Sequence, residues 1–145
     1  MHKYQYLVFL LVLSGAILGP PAHAQDNELI VEVKNIKESI GLIYVALYDS
    51  DETYLKKDIF SKSVSATQGN IQLVFKDLPF GDYAVSAIHD ANTNKELDKN
   101  SIGIPKEGFG FLDGEMGMFG PPSFEKVKIA WRGGSIKIEV PLKYY

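Results

Sequence analysis

The sequence predicts an all-β fold, an antiparallel β-sandwich of about seven strands carrying one long loop rich in glycine and phenylalanine. Three observations predict it. Apolar residues recur at every second position through most of the chain, which places them on one face of a strand. Turn signals built on glycine and proline separate these runs. No helical stretch of crossover length lies between them, as a parallel sheet would require.

In chain order, the first element is an export signal. Lys3 and the amino terminus form a positive start, Tyr6 to Leu13 is an unbroken apolar run, and Pro20-Pro21 end the segment. Ala22-His23-Ala24 has the small-x-small pattern of a signal peptidase site, so cleavage is expected after Ala24, leaving a single domain at 25–145. Counted to Leu18, the apolar stretch falls short of the roughly 20 residues that span a bilayer. Loss of Lys3 from the 15 basic residues leaves 14 against 18 acidic ones, a net charge of −4. A mildly acidic chain has no basic surplus for phosphates, and nucleic acid is not an expected partner. The absence of cysteine excludes thiolate metal sites, a cysteine nucleophile, a disulfide scaffold and a lipid anchor on cysteine. An exported domain without disulfides suits a bacterial periplasm or exterior.

The strands follow. Leu29, Val31 and Val33 alternate with wetter positions, as do Ile43, Val45 and Leu47, then Ile71, Leu73 and Phe75, then Tyr83, Val85 and Ala87. Val127, Ile129 and Trp131, and finally Ile136, Ile138 and Val140, complete the set, and the more polar Ser61 to Thr67 reads as an edge. Gln68-Gly69-Asn70 and Arg132-Gly133-Gly134 have the composition of hairpin connections, and Leu78-Pro79-Phe80-Gly81 that of a type I turn. Asp51 to Asp58 is the one segment suited to a short helix, and Asp49, Asp51 and Glu52 read as a solvated strand end.

Asp90 to Phe124 lacks periodicity and reads as a single long loop. Six of the thirteen glycines fall between Gly103 and Gly120, together with Phe109, Phe111, Phe119, Met116 and Met118. Loops of this length in compact domains are usually functional, and one so aromatic has reason to bury itself. Its phenylalanines either plug one end of the core or present Phe109, Phe111 and Phe119 to a ligand, and the two are compatible.

The loop opens with oxygen side chains at alternate positions, Asp90, Asn92 and Asn94, followed by Asp98. Counting Asp90 as first, the Glu96 carbonyl is seventh and Asp98 ninth, the spacing with which a loop wraps Ca²⁺. Lys95 replaces the usual glycine at the sixth position and Ser101 the usual glutamate at the twelfth. The same residues equally serve as turn formers that bond their own backbone. Only His89 remains to the mature chain as a histidine; it is in register with Tyr83 and Val85, and Asp90 beside it points to the other face, which suits a structural role and not a triad. The expected function is thus an exported non-catalytic binding or scaffold module. The alternative is a cell-envelope hydrolase or lyase that acts on a glycan through Asp98, Glu107, Asp113 and Glu115.

Four segments, in this order, carry a resemblance: Asp77-Leu78-Pro79-Phe80-Gly81-Asp82-Tyr83-Ala84-Val85; His89-Asp90-x-Asn92-x-Asn94-x-x-Leu97-Asp98; Gly103-Ile104-Pro105-Lys106-Glu107-Gly108-Phe109-Gly110-Phe111; and Phe119-Gly120-Pro121-Pro122-Ser123-Phe124. Together they resemble the bacterial exported family known as domain of unknown function 2141 (DUF2141). The resemblance implies a small periplasmic or secreted sandwich of transthyretin-like or immunoglobulin-like type, with no activity attached. Members often carry glycine where this chain has Thr93 and Lys95.

Overall fold

Every expected alternating run forms a strand. The computed structural model describes residues 27–145; the expected signal segment lies outside the described residues. The strands are β1 (Glu28–Ile36), β2 (Leu42–Tyr48), β3 (Phe60–Ser65), β4 (Gly69–Lys76), β5 (Gly81–Asp90), β6 (Gly108–Phe111), β7 (Lys128–Trp131) and β8 (Ser135–Pro141). They make a three-stranded sheet in the order β4-β1-β8 and a five-stranded sheet in the order β3-β2-β5-β6, with β7 also on β5. β6 pairs with Ser86–His89 and β7 with Gly81–Ala84, so the two lie end to end along one side of β5.

The sandwich differs from the expectation in four ways. First, β8 runs parallel to β1; nearly the whole domain connects the two, so no tight turn constrains their direction. Second, the two expected hairpins are crossings between sheets, because β3 and β4 pair with β2 and β1 respectively, and β7 and β8 with β5 and β1. The second crossing is held to the start of β1: Gly134 N–H donates to Asn27 Oδ1 at 2.9 Å and Glu28 N–H to the Gly134 carbonyl at 2.8 Å. Third, Asp51–Asp58 forms turns and no helix; Leu55 takes φ 56, outside the helical region. Fourth, the long loop contains the short strand β6 and a single 3₁₀ turn at Leu112–Gly114, and a second 3₁₀ turn, Phe124–Lys126, begins at its end.

Between the sheets, Leu29, Val31 and Val33 of β1 meet Ile43, Val45 and Leu47 of β2 and Val85 of β5, all fully buried. Trp131, also fully buried, satisfies its indole N–H on the Leu78 carbonyl at 3.0 Å. The outer faces of the two sheets are unlike each other. That of the three-stranded sheet is a wet ladder: Lys137 and Gln72 contact Glu32 at 2.9 and 3.0 Å, and Lys34 pairs with Glu139. That of the five-stranded sheet is apolar and partly roofed, since Ala46, Tyr48, Ala84 and Ser86 are buried there although they point away from the core.

Candidate functional site

The covered outer face of the five-stranded sheet holds a groove of about 1040 Å³. Strand pairing places Tyr44, Ala46, Ser86, Ile88, Phe109 and Phe111 on this face, because Tyr44 opposes Ile88, Ile88 opposes Phe109, and Ser86 opposes both Ala46 and Phe111. The walls come from Leu55, Lys56 and Asp58, from Lys95–Leu97 and Lys99, from Gly103–Pro105, from Met116–Met118, Gly120 and Pro121, and from Lys143 and Tyr145. Glycine makes this arrangement possible. Gly108 and Gly110 fall on the inner face of β6, where a Cβ would lie 2.4 Å from the Tyr144 ring and 2.4 Å from the Pro141 carbonyl oxygen. The C-terminal segment can therefore cross close behind β6 and pair with it, Phe109 and Lys143 exchanging both backbone hydrogen bonds. The alternate residues, Phe109 and Phe111, turn to the groove.

The three candidate phenylalanines differ in environment. Phe111 is 5% exposed and packed. Phe109 is half-buried, with its ring stacked on Tyr145 at 5.9 Å. Phe119 is 95% exposed and its neighbour Met118, on the rim, 90%. Beside the groove, Tyr48, Tyr54 and Phe124 form an edge-to-face chain at 5.5 and 6.1 Å. Tyr54 is buried with its hydroxyl unpartnered, and burial pushes its ionisation well above the usual tyrosine range.

Asp90, Asn92, Asn94 and Asp98 do come together. Asp90 is wholly buried and its two oxygens accept from Asn94 N–H at 3.0 Å and Lys95 N–H at 2.8 Å. Asn92 Oδ1 accepts from Asn94 N–H and Asn94 Oδ1 from Glu96 N–H. Both side-chain amides donate to Asp98, at 2.5 and 3.1 Å. Lys95 takes φ 64 and Thr93 φ 63, the left-handed conformation for which glycine is the usual residue. Further along, buried Glu107 closes the loop on the backbone: it accepts from Ala91 N–H at 2.9 Å and Asp98 N–H at 3.0 Å. Among the described residues no three His, Asp or Glu side chains converge as metal ligands, so a cation here would be held by two aspartates with amide and carbonyl oxygens.

A second, smaller cavity of about 140 Å³ is lined by His89, Glu107, Tyr144 and Lys37, among others. His89 is fixed at both nitrogens: Nε2 lies 2.7 Å from the Ile40 carbonyl, which only accepts, and Nδ1 lies 2.8 Å from the Tyr144 hydroxyl. In the Nε2–H tautomer the Tyr144 hydroxyl donates to Nδ1 and itself accepts from Lys37 N–H at 3.2 Å. The imidazole thus ties the end of β5 to the segment after β1 and to the chain's C-terminal residues.

The carboxylates of the glycan reading are not gathered around the groove. Neither cavity is lined by Asp98, Asp113 or Glu115, and both oxygens of Glu107 are taken by backbone N–H groups. The residues that sequence reading missed are the groove floor, Tyr44 and Ile88, and the β6 strand. Both left a signal. Leu42–Tyr48 is apolar at nearly every position, as a strand covered on both faces must be, and Gly-Phe-Gly-Phe alternates with period two.

A family model described as an uncharacterized protein conserved in bacteria, DUF2141, matches residues 31–139. No curated protein and no solved structure matches the chain.

Proposed function

We propose, for a chain that belongs to the DUF2141 family, an exported, non-catalytic binding module that takes its ligand in the groove on the five-stranded sheet. The observation that carries this reading is the groove itself: a concavity of about 1040 Å³, floored by strands and walled by the long loop. Its size reaches that of small-molecule sites, and its lining combines a mainly apolar floor with polar and charged groups, as such sites do. Export rests on the segment up to Ala24, and the periplasm or exterior is the compartment it serves. Ca²⁺ bound by Asp90, Asn92, Asn94, the Glu96 carbonyl and Asp98 would pin the root of the loop; the left-handed turn at Lys95, where calcium loops usually carry glycine, supports this part of the reading.

Nile red, a neutral dye that brightens in apolar sites, tests the groove. The folded protein is expected to enhance its emission. Ile88→Asp, which puts a charge on the floor, and Met118→Ser, which trims the exposed rim, are expected to weaken the effect while each variant still melts cooperatively. Equal enhancement by both variants, or none by the parent protein, would refute the site. For export, mass spectrometry of protein recovered from a bacterial periplasm is expected to show Gln25 as the first residue.

A further inference from the structure

The groove has a mostly apolar floor and an uneven charge on its rim. Lys56, Lys95, Lys99 and Lys143 line it, against the two carboxylates Asp58 and Glu96, so a chain of net charge −3 presents a local surplus of two positive charges there. All four lysines are exposed, and they stand on three separate segments of the wall. Elsewhere Lys34, Lys76, Lys128 and Lys137 pair with carboxylates. Among the described residues none of the groove's four does so; Lys143 instead lies 5.0 Å from the Tyr145 ring centre. The Asp58 carboxylate is engaged by the Tyr44 hydroxyl at 3.0 Å, which leaves it less open to a ligand cation.

We infer that the groove takes an amphipathic anion, a molecule with an elongated apolar body and one carboxylate, sulfate or phosphate head. This deepens the binding-module reading and rests on it. The apolar body lies over the floor made by Ile88, Phe109 and Phe111, gaining affinity from area removed from water. The head stays at the rim, where unpaired ammonium groups attract it and where it keeps part of its hydration, so no buried charge has to be compensated. A cationic head would meet the same lysines with repulsion, which is how the rim discriminates.

The test is calorimetric titration of the purified protein with laurate, dodecyl maltoside and dodecyltrimethylammonium, which share an alkyl chain and differ in head charge. Butyrate serves as a short anion. Met118→Trp provides a rim reporter, since the native Trp131 is fully buried. Laurate is expected to bind at least about tenfold more tightly than the ammonium amphiphile and than butyrate, with a change in emission from the introduced indole. Lys95→Gln combined with Lys99→Gln is expected to narrow the gap between laurate and the ammonium compound. An ammonium amphiphile that binds as tightly as laurate overturns the anion assignment and leaves the groove standing. Failure of all three amphiphiles with folded protein overturns the groove reading as well.

Discussion

Single side chains in the long loop carry unlike burdens, and their energetics separate accordingly. Phe111 is packed, so Phe111→Ala is expected to cost roughly 3–5 kcal/mol, whereas Phe119→Ala, at an exposed tip, should stay within about 0.5 kcal/mol. Denaturant unfolding of the two variants measures both; equal losses would mean that the tip is packed. Thr93 is a different case. A β-branched residue at φ 63 is strained by roughly 1–2 kcal/mol, and the greater chain entropy of glycine offsets about half of that. The Thr93 hydroxyl donates to the Asn92 carbonyl at 2.7 Å, but at an exposed site where water can replace it; Thr93→Gly is therefore expected to stabilise by roughly 0.5–1 kcal/mol, and a lower melting temperature would show that this bond outweighs the strain.

At the scale of elements, the root of the loop is the most cross-linked irregular segment. Glu107 brings Ala91 and Asp98 together through their backbone N–H groups. Glu107→Ala removes both acceptors and is expected to destabilise by about 1–3 kcal/mol for each N–H left without a partner. If Ca²⁺ also binds, a ligand present at a hundred times its dissociation constant adds about 2.7 kcal/mol. The melting temperature should then rise with millimolar Ca²⁺ and fall back with EDTA, and Asp90→Ala should abolish the response. A temperature indifferent to both reagents would mean that hydrogen bonds alone close the loop, because the Asn92 and Asn94 amides already occupy Asp98. These elements also mark how far the sequence is legible. Period-two runs are local, so six strands and their inward faces could be read from them, and the polar edge strand from its composition. Which sheet a strand joins is decided by distant pairing, and the glycines of Arg132-Gly133-Gly134 serve a crossing as readily as a hairpin. Proximity of Asp90 to Asp98 follows from short spacing. The groove does not, since its floor and walls come from segments as far apart as Tyr44 and Tyr145.

Across the whole molecule, charge is divided between the two outer faces, and this sets the response to pH. On the three-stranded sheet, the Gln72 amide and then Lys137 hold the Glu32 carboxyl below its ordinary value. Across β5 and β7, Arg132 and then Lys128 do the same for Asp82, and beside the groove the Ser61 hydroxyl and then Tyr44 do so for Asp58. A carboxylate whose folded value is depressed binds protons less readily in the native state than in the unfolded chain. Its contribution is complete above the unfolded value, near pH 4, and is lost as pH falls through the lower folded value. Lys34 and Lys128 are raised by hydrogen bonds to Glu139 and Glu125, so their contribution is present below the ordinary lysine value and disappears as pH climbs past the folded one. Melting temperature should accordingly be flat around neutrality and fall below about pH 4. Glu32→Gln is the discriminating variant: surface carboxylates contribute little each, yet three in one small domain steepen the acid limb together. The gap between parent and variant should be widest near neutrality and close as the solution is acidified, and a gap that stays constant with pH would show that Glu32 acts through packing and not through its charge.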